Sequence, residues 1–259
     1  MITGDIQKLT PDMIGRMNSI CAHHSGADAP WLGEAVEESA RVSLHAATQG
    51  RTVFGAFRDG RAVGRVEVMP IDLAPLPLEG EGLHVIRCLW VVQEAQGRDR
   101  ARALMERALD AAAGAKGVAM VTYPGWNDVP ASFLAKFGFE IVQQHGMTTL
   151  LLRKASADAR VAFAPVQRDP MVSTSRLHVE AAFSGMCPAA TQYYRRLLDT
   201  AGRLSDKVVT RERVLRNRAD ALRFGRENTV YVDGEEPFSG GFRTAAFCDV
   251  VKERLEAKG

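Results

Sequence analysis

The chain is poor in the features that mark several specialised classes. Four cysteines in 259 residues, Cys21, Cys88, Cys187 and Cys248, form no Cys-x-x-Cys pair and no zinc-like spacing. That excludes a disulfide-stapled scaffold and suits a reducing compartment. No run of about 18 apolar residues is present, so no membrane span or membrane partner is expected. The N-terminus, MITGDIQKLTPDM, lacks a basic region followed by an apolar run, so no signal peptide is expected and the cytoplasm is the expected compartment. Charge of one sign is also missing. With 33 Lys+Arg against 31 Asp+Glu the net charge is +2, which supplies no broad basic field for nucleic acid. What remains is ordinary for a globular protein, 46% hydrophobic and 25% charged, and long enough for one large domain or two small ones.

Taken in order, residues 4–8 read as a short strand. Thr10 then caps a helix with Pro11 at its first position, and Ile14, Met17 and Ile20 form its apolar face. Cys21, His23 and His24 follow; a Cys and a His three apart can share a metal, but no third ligand is near, and no metal is expected. Trp31 to Ala47 has the spacing of a second helix, closed by Gly50. A hairpin comes next, turning at Asp59-Gly60. Pro70, Pro75 and Pro77 make a rigid connection to a strand over 83–92. A helix over about 97–114, an apolar strand Gly117 to Tyr123, a short helix Pro130 to Lys136 and two strands, Phe139 to Gln143 and Thr148 to Arg153, complete the unit. From Lys154 to Ser175 periodicity stops, which predicts a linker. A second unit then reads strand, helix, strand, helix, two strands and helix.

The stretch LHVIRCLWVVQEAQGRDRARALMERAL, from Leu83 to Leu109, carries the strongest chemical signal. It is a buried strand, a polar turn and an amphipathic helix. Free N–H groups of a first helical turn, together with the helix dipole, make such a turn a cradle for phosphate. The turn Gln96-Gly97-Arg98-Asp99-Arg100-Ala101 resembles the Gln/Arg-x-x-Gly-x-Gly/Ala signature of the GNAT acyltransferase superfamily. Gln96, Gly97 and Ala101 fit it, and Asp99 stands where the central glycine belongs. The stretches Ile86 to Val91 and Phe133 to Phe139 are closer to its YoaP-like branch, whose C-terminal domain opens on a Cys-Pro turn with an aromatic two helical turns on, as in Cys187-Pro188 and Tyr193.

The resemblance implies a mixed α/β sheet of GNAT acyl-CoA N-acyltransferase fold over residues 1–153, a linker over 154–175 and a thioredoxin-like domain over 176–259. It implies acetyl-CoA as co-substrate and an amine acceptor, a small molecule or a peptide. Leu89 and Val91 would pair with the pantetheine arm through their backbone. Residues 96–101 would take the pyrophosphate, with Arg98, Arg100 and Arg102 adding charge, and Asn127 would contact the cofactor arm. Asp99 would have to turn outward or pair with Arg100 or Arg102. Leu134 stands where the family often keeps a tyrosine that protonates the departing thiolate; Tyr123, Ser132 and Cys88 are possible substitutes.

For the base, Glu67 is a lone carboxylate among Val63, Val66, Val68 and Met69, weighed against an exposed strand position. His84 shares its alternation with Ile86, Cys88 and Trp90. Cys187 opens a helix, where the dipole favours thiolate, although no second cysteine stands three residues away and Asn228-Thr229 replaces the usual proline. The run from Arg203 to Arg226 holds eight basic against three acidic residues, without interleaved aromatics, which is the pattern of a solvated face. The alternative to an enzyme is a decayed transferase that senses CoA or a thiol ligand.

Overall fold

In the computed structural model, residues 6–17, 20, 31–97, 99–123, 129–168 and 170–258 are described. Seven strands form one mixed sheet in the order β1-β2-β3-β5-β6-β8-β7. They are β1 (Ile6–Lys8), β2 (Thr52–Arg58), β3 (Arg61–Pro70), β5 (Leu83–Val91), β6 (Gly117–Thr122), β7 (Glu140–His145) and β8 (Thr148–Lys154). The β2–β3 hairpin turns where expected, because Asp59 (φ 52°) and Gly60 (φ 73°) both take the left-handed backbone that a tight hairpin needs. Helices α1 (Pro11–Met17) and α2 (Trp31–Thr48) pack together, and α3 (Arg100–Ala111) and α4 (Ala131–Ala135) follow β5 and β6.

The two faces of the sheet bury different sets. Val66, Val68, Ile86, Leu104, Met105 and Leu134 form the core on the α3 side. On the other side Met69, Val85, Ala119, Val121 and Tyr123 pack together, and Met186 of the second unit belongs to the same cluster.

Strand β5 governs the geometry. It runs antiparallel to β3 and parallel to β6, but its pairing with β6 covers only Leu83↔Gly117 to Ile86↔Met120. Beyond Ile86 the two strands diverge. On the β3 side the register jumps from Val68↔Ile86 to Glu67↔Cys88, so Arg87 is the extra residue of a β-bulge. The bulge breaks the alternation expected along this strand. Ile86, Leu89 and Val91 all join the α3-side core, whereas Trp90 packs with Met17 and Ile20. His84, Ile86, Cys88 and Trp90 therefore do not share one face.

The connection 154–175 is docked rather than free. Ala159 and Ala164 are buried, and β9 (Ala162–Phe163) pairs with β4 (Leu78–Glu79), two short strands that the proline-rich and Ala-rich sequences concealed. Arg168 reaches Glu180 at 2.8 Å and lies 3.4 Å over the Tyr231 ring. The second sheet has the order β11-β10-β12-β13. Its strands β10 (Leu177–Ser184), β11 (Val208–Leu215), β12 (Thr229–Val232) and β13 (Glu235–Ser239) alternate with α5 (Pro188–Leu204), α6 (Arg218–Phe224) and α7 (Thr244–Glu256). Strands β10 and β11 are parallel, and β12 and β13 continue antiparallel.

The second unit lies against the first. Helix α2 packs on α5, Ser39 Oγ donates to Met186 O at 2.6 Å, and Arg218 bridges to Asp72 at 2.7 Å. The basic run 203–226 is thus partly consumed in structure: Arg213 holds Glu180 at 2.5 Å and Arg218 crosses between units.

Candidate active site

A groove of ≈ 620 Å³ opens on the α3 side, walled by Leu89, Trp90 and Val91 of β5, residues 95–97 and 99–102, and Val129, Pro130, Phe133 and Lys136. Its strand wall has backbone to offer. Val92 N donates to Val63 O at 2.9 Å, so by alternation Leu89 and Val91 turn their own N–H and C=O groups away from β3, toward the side where β6 has left. The Val91 carbonyl already accepts from Gln96 Nε2 at 3.0 Å, which ties the turn to the end of the strand.

The turn itself is built on left-handed residues. Gly97 has φ 72° with open space where a side chain would stand, and Asp99, the N-cap of α3, has φ 54°. That positive φ gives the physical reason for a glycine at position 99 in the resembled signature. Aspartate is one of the few residues that tolerates the conformation. Its carboxylate is 90% exposed and pairs with Arg102, whose Nε is 3.8 Å away. It has turned outward from the turn's backbone. Arg100, expected to add charge beside the pyrophosphate, is instead buried and donates from Nη1 to Ala95 O at 3.1 Å, bracing the turn from inside. Arg98 and Asn127 lie outside the described residues, as do Cys21, His23 and His24. Leu134 does not face the groove; it is fully buried in the core beneath it, and Phe133 and Lys136 are the α4 residues on the wall.

The opposite face is closed and ionic. Glu67 is 3% exposed, so it is neither a lone carboxylate nor a solvated strand residue. Arg51 Nη2 lies 2.7 Å from Oε2, and Arg65, two residues away on the same face of β3, pairs with Oε1. Both carboxylate oxygens are thus engaged by buried guanidinium groups rather than by solvent. Burial, followed by repulsion from Arg65 and Arg87, pushes Arg51 well below the ordinary arginine range. His84 is lowered by burial alone.

Beside this triad stands Arg87, the bulge residue, with Glu227 from the second unit. Their contact is bidentate: Nη1 to Oε2, and Nη2 to Oε1 at 2.6 Å. Burial works against the Arg87 charge, but the Glu227 carboxylate outweighs it and holds Arg87 above its ordinary value. Glu227 is 2% exposed and is aimed by Asn228, whose φ of 56° a proline at that position could not adopt. Tyr123, just past the end of β6, lies within electrostatic reach of both partners; burial first, and then Glu227, raise it well above the ordinary phenol range.

Cys187 caps α5 with Pro188 at the first helical position, and its thiol is within electrostatic reach of Arg87. Its turn is pinned on the first unit through Met186. The structure thus brings Glu67 and Cys187, read separately in the sequence, to one junction around Arg51 and Arg87. Sequence reasoning missed Arg51, Arg65, Arg87 and Glu227. The available signals were a charge inside the apolar strand LHVIRCLWV and two charges at i and i+2 on β3. A further cleft of ≈ 680 Å³ between α2 and α5 is spanned by Arg195, which pairs with Glu38 at 2.6 Å and Glu212 at 3.0 Å; it contains none of these residues.

Strand divergence, a left-handed turn at a helix start and a groove between them lie together on one side of a mixed α/β sheet. Residues 49–141 match the model of an acetyltransferase (GNAT) domain, and the seven-stranded sheet has the corresponding acyltransferase fold. Among solved structures, the chain is similar to PaiA N-acetyltransferase from Thermoplasma acidophilum in complex with coenzyme A, at 17% identity and TM-score 0.42 over 58% of this chain and 98% of that one. It is also similar to PH1933 from Pyrococcus horikoshii, at 18% identity and TM-score 0.45 over 59% and 98%. An acetyltransferase from Thermus thermophilus has 21% identity and TM-score 0.43 over 58% and 96%. No curated protein matches the chain.

Proposed function

We propose that the chain is an acetyl-CoA-dependent N-acyltransferase in which an amine attacks the thioester directly. The observation that carries this reading is the groove where β5 leaves β6, with the left-handed turn 97–99 and the start of α3 at its end. Acetyl-CoA supplies the acyl carbon and a sulfur leaving group. The Leu89 and Val91 backbone would hold the pantetheine arm as a strand is held, and the first-turn amides of α3, with Gly97, would take the pyrophosphate. Asn127 and Arg98 belong to the same proposed set. Glu67 serves here as the anchor of a buried ion triad, with Cys187 as a wall of the junction, and the amine arrives already neutral. The acceptor is a small-molecule or peptide amine.

Two departures from the resembled signature motivate the alternative, a decayed transferase that senses CoA or a thiol ligand. Asp99 faces outward, and Leu134 occupies core rather than groove. For the second unit we propose a thioredoxin-like domain of the YoaP-like branch; its β-α-β-α-β-β-α order with β10 and β11 parallel supports that. Calorimetry tests the cofactor reading, and the absence of heat with millimolar acetyl-CoA would refute it. Thioester turnover across spermidine, free amino acids and peptides with free N-termini separates enzyme from sensor.

A further inference from the structure

We propose that the second unit is a cap over the acceptor entrance, pivoting on an apolar seat at Met186 so that its polar edge at Glu227 lifts to admit the amine; this rests on the acyltransferase reading. The fork where β5 leaves β6 has two mouths. One opens into the groove on the α3 side. The other is covered by the second unit. Arg87, the first β5 residue beyond the last β6 pair, meets Glu227 there, and Met186 joins the cluster of Val121 and Tyr123. Glu227 and Met186 are 2% and 3% exposed. A pantetheine arm held along Leu89 and Val91 would fill the groove behind its thioester. The free approach for an amine is then the covered mouth.

Different forces hold the two edges of the cap. At the seat, Met186 enters an apolar cluster of the first unit and Ser39 Oγ donates to its carbonyl at 2.6 Å. Gly185 lies so close to α2 that a Cβ there would come within 3.2 Å of Val42. At the other edge, three polar contacts cross between the units. Arg87 holds Glu227, Thr148 Oγ1 lies 3.4 Å from Ser239 Oγ, and His145 Nε2 lies 3.9 Å from Glu236. Opening an apolar seat forfeits its burial, whereas polar groups regain water. A buried ion pair roughly breaks even with its two hydrated ions. Parting Arg87 from Glu227 with both rehydrated therefore costs far less than deleting either one. Polar contacts between units of one chain are those that permit relative motion, so the polar edge lifts and the seat stays.

Locking the polar edge decides this. The last β6–β8 pair is Thr122↔Thr149 and Ser239 pairs with Thr229, so Thr148 and Ser239 stand beside the fork and beside Glu227. Thr148→Cys combined with Ser239→Cys should close a disulfide across that edge on mild oxidation. If oxidation does not close it, dibromobimane bridges the same two thiols. With oxidised wild-type protein as the baseline, the locked variant should bind acetyl-CoA as its reduced form does. It should acetylate the amine panel about tenfold more slowly or worse, and reductant should restore the rate of the disulfide form. Independently of turnover, amide hydrogen exchange over residues 120–123 and 226–232 should be slower in the locked than in the reduced variant. Equal turnover by the two forms, or equal exchange over those residues, would overturn the cap. Wild-type protein that acetylates no amine, while the lock still slows exchange, would overturn the acyltransferase reading and leave the lifting edge standing.

Discussion

The two faces of the central sheet use opposite means. The α3 side is an open groove lined by main-chain groups, set by Gly97, Asp99 and the edge of β5 that β6 leaves unpaired. The other side is a closed junction in which side-chain charges from two strands, from Arg51 just before β2 and from a second unit compensate one another. A groove built from backbone depends on conformation rather than side-chain identity, and Asp99 takes the left-handed conformation at φ 54° without a glycine. A charge-built junction does depend on that identity, because each buried ion depends on one named partner. The contrast also places the energetic risk of the fold on the closed face.

The sharpest way to break that contrast is to remove one partner of the buried pair. Glu227→Ala should destabilise the protein by about 3–5 kcal/mol in chemical denaturation, since Arg87 is left charged and buried. Replacing both residues with methionine should recover most of that loss. A recovery failure would mean that the pair is more than mutual compensation. Alkali probes the closed side next. Burial raises Tyr231 from 10.0 to about 12. The native state therefore keeps a proton that the unfolded chain has lost, and the stability present below pH 10 is lost as pH rises to 12, by roughly 3 kcal/mol for this one group. Tyr123 adds to the loss in the same direction. Urea midpoints across that range check it.

On the open side the effects are smaller and fall on binding. Gly97→Val forces a β-branched residue to φ 72°, at a cost of about 1–2 kcal/mol. Acetyl-CoA affinity should fall about tenfold by calorimetry, and the same strain should lower the thermal midpoint by a few degrees. Asp99→Gly, the smallest change, removes a carboxylate near the phosphate site, and about 1 kcal/mol of repulsion corresponds to roughly fivefold tighter binding at low salt. If affinity is unaltered, the outward carboxylate is already electrostatically silent.

The same contrast explains what the sequence reveals. The Asp59-Gly60 hairpin, the strand and helix around residues 83–109 and the order of the second unit rest on local rules, turn chemistry and periodicity, and these were readable. The linker was read from its composition, which cannot report that Ala159, Ala164 and Arg168 find partners far away. Glu67 was misjudged for the same reason: its neighbours in sequence are valines, but its neighbours in space are Arg51 and Arg65. The bulge at Arg87 was invisible because alternation is extrapolated from residue to residue, and one inserted residue reverses every face that follows.

The seat of Met186 bears on how the chain assembles. Ser39 donates to the Met186 carbonyl across 147 residues of sequence, and the Met186 side chain completes the apolar cluster beneath Tyr123. Chains made from the N-terminus outward therefore emerge with this cluster unfilled until well after the last strand of the first sheet is available. In a series of C-terminally shortened chains, protease resistance of the first sheet should rise in a step once residue 186 and its turn are included. A smooth rise would mean that the sheet closes without it. What reads in sequence as a domain boundary is, in the order of synthesis, a delayed keystone.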